Sequence, residues 1–254
     1  MKNKIATPKI LVFSVGLNFY DKIYDRCIAS HQRYAERQAY DYVLVNQPRW
    51  ATVIESVWLK VPLLLAALKA GYDWVFFLDA DCEVRAFTPR VETLAVPGKS
   101  LYFGQGFSGN INSGVMIAQN TPEARAFFQE VFNAAQREVP EMDWGENGHI
   151  IHFCKGNPNV QILDKRWNNN ADVNLDDYVR HYSGGGPMRA LYKLAPGKQG
   201  LKFAMIIRNK LMKLAGVPRQ ELIAKLEQLV RACQGIYPVF LIVGLKNGRC
   251  VSLL

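Results

Sequence analysis

Over the first third of the chain, short apolar runs alternate with longer stretches of helical spacing. Residues 9–15 (KILVFSV) are rich in β-formers and end at Gly16, which predicts a buried strand. In residues 21–38, Ile23, Cys27, Ile28 and Tyr34 recur at helical intervals and share a face. Residues 42–45 predict a second strand. A strong helix is expected over 55–70, where Val57, Val61, Leu64, Leu65 and Leu68 form a stripe that Gly71 stops. Residues 73–78 (DWVFFL) predict a third strand that runs straight into Asp79. This alternation predicts right-handed βαβ units and a largely parallel sheet covered on both faces.

After Asp81 the rhythm changes. Short strands are expected at 100–103 and 114–118, on either side of a Gly/Asn-rich loop. A helix follows over 121–138, with Thr121 as N-cap and Pro122 in the first helical position. A shorter helix is expected over 146–154 and a strand over 160–163. Residues 181–187 (HYSGGGP) are expected to be irregular, because three glycines in succession remove the steric bias toward regular structure. Two further helical patterns lie at 201–214 and 220–233, parted by Pro218.

Composition narrows the class. Of the 254 residues, 49% are hydrophobic and 21% charged, which fits a globular protein with a sizeable core and not a disordered one. The net charge of +9 is unevenly placed: residues 201–254 hold nine of the 31 Lys/Arg but only two of the 22 Asp/Glu. The body is therefore nearly neutral, which argues against a broadly basic nucleic-acid-binding domain. Five scattered cysteines without C-x-x-C spacing point away from a disulfide framework or zinc knuckle and toward a reducing, cytoplasmic setting. The N-terminal apolar run has no small-residue cleavage site and is read as strand, not signal peptide. The apolar run 236–245 is too short to span a bilayer.

Asp79 and Asp81 follow a fully apolar strand, at the carboxyl end where open α/β sheets bind ligands. Two carboxylates two residues apart can offer oxygens to one hard cation, Mn²⁺ or Mg²⁺, and such a cation can bridge a diphosphate leaving group. Asp-x-Asp alone is a weak pattern, and two solvated carboxylates at a strand end are the plain alternative. The apolar strand running into LDAD is the more specific signal.

The string YDWVFFLDADCEV resembles the metal-binding strand of GT-A glycosyltransferases, most closely the group around families 8 and 34. Four further segments agree with that group in order and spacing. Ser14-Val15-Gly16 sits where the family grips base and ribose. Trp58-Leu59-Lys60 is similar to its W-x-K element, which approaches the donor. Asn110 to Met116 (NINSGVM), with Asn112 and Ser113, is similar to the element lining the donor sugar. His181-Tyr182-Ser183-Gly184 is similar to H-x-x-G, whose histidine completes the metal site and whose glycine approaches the phosphates.

The resemblance implies that Asp79, Asp81 and His181 hold the cation, that Ala80 and Gly184 line the donor, and that Glu146 and Asn147 take the family's acidic–amide positions facing the sugar. Asn147 stands where the family has Gln. Pro187 replaces a phosphate-binding lysine, so Arg189 or Lys193 is expected in that role. Trp167-Asn168 resembles a W-N pair that supports the acceptor side. For His149 and His152, three apart on the 146–154 helix, packing or an acceptor-side role is expected.

The expectation is an α/β GT-A domain over 1–197, built on a Rossmann-like mixed sheet, and a basic, amphipathic helical extension over 198–254. The implied reaction moves a sugar from a UDP- or GDP-sugar to a hydroxyl of a glycan or lipid-linked glycan. Retention of configuration is implied, with inversion through Glu146 as base the alternative. The extension could lie on an anionic membrane, at the inner face, through residues 201–233, or pack on the domain with snorkelling Lys and Arg. Two rivals are a sugar nucleotidyltransferase and a non-catalytic, basic membrane- or polyanion-binding module. The first wants a Gly-rich, basic loop after the first strand, which SVGLNFYD lacks.

Overall fold

A computed structural model describes residues 7–49, 51–214 and 219–242. The expected interruption at Pro218, part of the 236–245 run and much of the 198–254 extension lie outside the described residues. Strands are β1 (Ile10–Val15), β2 (Asp41–Val45), β3 (Trp74–Leu78), β4 (Cys82–Val84), β5 (Leu101–Gln105), β6 (Ile111–Gln119), β7 (Val160–Ile162) and β8 (Val179–His181). Helices are α1 (Tyr20–Ile23), α2 (Asp25–Gln38), α3 (Val53–Trp58), α4 (Lys60–Lys69), α5 (Pro122–Asn133), α6 (Glu146–Cys154), α7 (Gln199–Leu214) and α8 (Leu222–Ile236).

The main sheet has the order β2-β1-β3-β6-β5-β7. Its first three strands are parallel, as the alternation predicts. The sheet is nonetheless mixed, because β6 runs antiparallel to both β3 and β5. That agrees with the mixed sheet expected for the whole domain and confines the parallel βαβ run to the strands before Asp79: with only the short 106–110 connection between them, β5 and β6 close as a hairpin, and a parallel crossover needs a dozen residues or more. A second sheet pairs β4 with β8, antiparallel. Three-residue strands carry too little period to announce themselves, and neither was expected.

The predicted 55–70 helix is divided at Leu59 into α3 and α4. Pro62 has no N–H to give the Trp58 carbonyl, so one rung is lost there. Thr52 starts α3 through a reciprocal capping box: its hydroxyl accepts from Glu55 N–H, and Glu55 accepts from Thr52 N–H. This fixes the turn that leads to Lys60.

One core lies between the sheet and α4, α5, α6 and α8; a second, under the other face, gathers Tyr34, Phe76, Tyr102 and Trp167. Leu222, Leu226, Leu229, Val230 and Cys233 of α8 are buried in the first core. Helix α8 is therefore part of the domain's packing, the second of the two alternatives expected for the extension. Met205 anchors α7, while Phe203, Ile206, Ile207 and Leu211 remain exposed. Among the described residues no helix is long and apolar enough to cross a membrane, and none of the four cysteines is in a disulfide.

Candidate active site

The acidic motif sits where a strand stops and turns back. Asp79 N–H donates to Gly114 O (2.8 Å), and Cys82 N–H donates to Asp79 O (2.9 Å), which closes a tight turn over residues 79–82. β4 then leaves that turn and pairs with β8 so that Cys82 lies opposite His181. The imidazole is thereby set beside the acids: His181 Nε2 is 3.2 Å from Asp81 Oδ1. Its other nitrogen, Nδ1, meets Asn168 Oδ1 at 2.9 Å. Asn168 Nδ2 donates to Gln105 O and Asn112 Oδ1, so its carbonyl oxygen is the end facing the ring. Nδ1 must then carry a proton, and Nε2 is the nitrogen turned to Asp81, within hydrogen-bond reach of its carboxylate and free to serve as a ligand atom when an ion is bound.

The opposite wall comes from β6 and α6. Phe103 pairs with Met116 but the next residue, Gly104, pairs with Asn112, so residues 113–115 bulge out of the ladder. Within the bulge, Ser113 Oγ donates to Glu146 Oε1 (3.0 Å) and Ser113 N–H donates to Asn147 Oδ1 (2.7 Å). Gly114 is required by close approach, since a Cβ there would stand 2.2 Å from His181 Cε1. Lys60, from the first turn of α4, reaches under the acids: Nζ is 2.8 Å from Glu146 Oε1 and 3.2 Å from Asp79 Oδ1. Burial works against the ammonium's charge, but Asp79 and Glu146 outweigh it and hold the Lys60 pKa above the usual lysine range.

Burial and the neighbouring Asp81 push the Asp79 carboxyl up, although Lys60 pulls the other way. Asp81 is also buried, yet His181 and Arg189 hold its pKa below the ordinary aspartate value. Arg189 Nη1 donates to Asp81 Oδ2 and to Tyr182 O, both at 2.8 Å, with its guanidinium 5.0 Å from the Tyr24 ring centroid. Between Arg189 and Lys193, the structure selects Arg189 as the cation beside the acids.

These groups line a cleft of about 260 Å³, together with Val15, Leu17, Asn18, Tyr20, Val53, Ser56, Val57, Phe77, Ala80, Gly184 and Asn209. Of the expected residues, Val15, Lys60, Asp79, Ala80, Asp81, Glu146 and Gly184 meet there, with His181 and Ser113 directly behind them.

Four other expected residues lie outside this lining. Ser14 is fully buried and its hydroxyl is engaged by His31 Nδ1 (2.8 Å), so it faces the core. Asn147 has both amide ends on the β6 backbone, Ser113 N and Ile111 O, and braces α6 on that strand. Asn112 Oδ1 accepts from Gly114 N–H and Asn168 Nδ2, and so supports the bulge. Gly16 leaves the cleft lining for a neighbouring cavity. His149 bonds two backbone carbonyls and packs against Trp58, which makes it structural; His152 lies 3.4 Å from Glu141. Asn18, Tyr20, Ser56 and Asn209 were missed, having no motif to mark them. Asn168 was visible in the W-N pair, but not its hold on His181.

The donor set fits a hard divalent cation. Asp81, Cys82 and His181 bring ligand atoms within 4.8 Å of one another. The Cys82 thiol is the poor member: burial and the nearby aspartates keep its pKa well above normal, and Sγ–H donates to Gly114 O. Asp79 lies outside that 4.8 Å group, but it lines the same cleft as Asp81 and offers the hard oxygen ligands that the thiol does not. Three carboxylates also face only two fixed cations, Lys60 and Arg189, which leaves the lining formally anionic.

The architecture is that of the GT-A glycosyltransferases. Among solved structures, the chain is similar to a glycosyltransferase involved in glycosylation of the major capsid of PBCV-1. The TM-score is 0.54 at 14% identity, covering 73% of this chain and all of that one. It is also similar to the glycosyltransferase GlyE of Streptococcus pneumoniae TIGR4, with a TM-score of 0.50 at 12% identity, covering 87% of this chain and 63% of GlyE. The WbbM bifunctional glycosyltransferase gives 0.50 at 14% identity, over 72% of this chain and 47% of that one. No protein-family model and no curated protein matches the sequence.

Proposed function

We propose that the protein is a metal-dependent glycosyltransferase that moves a sugar from a nucleotide-diphosphate donor, a UDP- or GDP-sugar, to a hydroxyl of a glycan or lipid-linked glycan. The observation that carries this reading is the convergence of His181 Nε2 and Asp81 Oδ1, 3.2 Å apart, at the tip of β3 beside a net-anionic cleft. An anionic diphosphate gains nothing from such a lining unless a cation joins it. Asp79, Asp81 and His181 are the residues that would hold Mn²⁺ or Mg²⁺. What the ion supplies when bound is Lewis-acid neutralisation of the diphosphate as it leaves.

The chain's own residues do the rest. Lys60 pairs with Asp79 and Glu146 at the floor of the cleft and offsets part of their charge there. Arg189 stands beside Asp81 as a second positive group for the departing phosphate. Glu146, fixed by Lys60 and Ser113, presents its carboxylate to the cleft and accepts from sugar hydroxyls. Oε1 of Glu146 is already taken by Lys60 and Ser113, which favours retention over inversion through Glu146. The exposed apolar residues of α7, flanked by Lys202 and Lys210, are where contact with the membrane of a lipid-linked acceptor would fall.

The reading is tested by donor hydrolysis with and without Mn²⁺, on wild type and on Asp81→Ala. Turnover that needs the ion and vanishes in the variant is expected. Binding of UDP and GDP indifferent to Mn²⁺, with no turnover of any donor, would overturn it.

A further inference from the structure

The cleft has two chemically distinct ends. Asp79, Asp81, Lys60, Glu146 and Gly184 form a charged end; Val15, Leu17, Val53, Val57, Asn18, Ser56 and Asn209 form a largely apolar one. At the apolar end, two amide oxygens are buried without a hydrogen-bond partner among the described residues: Asn18 Oδ1 and Asn209 Oδ1. The orientation of Asn18 is fixed, because Nδ2 donates to Ser56 Oγ (2.7 Å) and Ser56 Oγ donates in turn to Thr52 O (2.7 Å). The residue is only 7% exposed, so an idle oxygen there is a standing cost until a donor arrives. Val53 and Val57, on the same wall, are left 41% and 38% exposed. Idle acceptors beside uncovered apolar side chains are what a flat, donor-bearing ring system would satisfy.

Asn209 belongs to α7, and α7 is held over the cleft at two points. Met205 is buried with Ala80, Tyr24, Tyr182 and Met188, directly beneath the acidic turn. Arg208 Nη2 donates to Arg49 O (3.2 Å) and Ala51 O (3.0 Å), in the segment leading to α3. The helix is thus tied both to the acidic turn and to the strand-to-helix loop, and Asn209 comes directly after the second tie.

We propose that α7 is a wall of the nucleotide site and that Asn209, with Asn18, binds the nucleoside half of the donor by accepting from base N–H or ribose O–H groups. This rests on the reading of the cleft as a nucleotide-diphosphate site, and adds that part of nucleoside recognition comes from the C-terminal extension. The charged end takes the diphosphate, and the ring packs over Val53 and Val57.

The test is titration calorimetry on the full chain with UDP, GDP and inorganic pyrophosphate, each with Mn²⁺, for wild type and Asn209→Ala. The expected result is about tenfold weaker binding of whichever nucleotide the wild type takes, with pyrophosphate affinity unchanged. Equal nucleotide affinity in the two proteins would overturn the proposal, as would an equal loss toward pyrophosphate. A wild type that binds pyrophosphate or nucleotide in neither case would instead overturn the underlying donor-site reading. The melting temperature without ligand checks the fold; if Asn209→Ala lowers it, Asn209→Ser is measured and must show the same selective loss.

Discussion

Lys60 Nζ lies 2.8 Å from Glu146 Oε1, and the lysine is 3% exposed. Removing one partner of a buried pair strands the other's charge, which costs about 3–5 kcal/mol. Asp79 shares the same ammonium but is about a third exposed, so Lys60→Ala is expected to cost about 3 kcal/mol, at the low end of that range. Urea denaturation measures it. The double variant Lys60→Met/Glu146→Gln should regain most of the stability and none of the donor turnover.

His31 is wholly buried, and desolvation lowers its pKa to about 4, against smaller opposing contributions from the Cys82 carbonyl and Asp81. The unfolded chain binds a proton near pH 6.5, the folded one only near 4. Stability from this group is therefore fully present above pH 6.5 and is lost as pH falls toward 4, by about 3 kcal/mol in total. Urea midpoints between pH 4 and 7 should show that slope in the wild type, and a shallower one in His31→Gln.

Asn168 fixes the His181 tautomer through a 2.9 Å bond to Nδ1. Groups that orient a metal-binding histidine typically contribute about 10–100-fold in metal affinity. Asn168→Ala should lose Mn²⁺ affinity in that range, read by calorimetry, with a folded far-UV spectrum. Unchanged Mn²⁺ affinity would show that the imidazole needs no such guide.

Gly114→Ala places a methyl group on the His181 ring. Because the ring is held from behind by Asn168, it cannot retreat without breaking that bond. Mn²⁺ affinity should fall about tenfold or more, whereas Gly184→Ala, whose Cβ would meet nothing within 4 Å, should leave the fold's stability unchanged.

The parts of this site that were legible in the sequence are those where one short segment carries both the structure and the chemistry. WVFFL is apolar throughout because β3 is buried on both faces, and the two aspartates that follow can only be at its tip. His181 was legible through its spacing to Gly184 and not through any local pattern. The setting of Ser14 was not legible because the hydroxyl's partner, His31, lies a helix away, nor that of Asn147, because its partners lie on β6. The β4–β8 ladder was invisible for the same reason: each strand is three residues long, and only its mate, about 100 residues distant, makes it a strand. Asn18 and Asn209 are ordinary asparagines until burial leaves their oxygens idle.

The Cys82–His181 register has a consequence for the order in which the molecule becomes competent. The acids emerge from the ribosome early, within the first half of the polypeptide, while the residue that faces them across the ladder is made roughly 100 positions later. A nascent chain halted before position 179 carries a well-formed β1–β3 edge and no third ligand. A slip of one residue in that three-rung ladder would swing the imidazole to the opposite face. On the proposed reading, competence for an ion is a late event in biosynthesis, reached only when residues 179–181 return to close on residues 82–84.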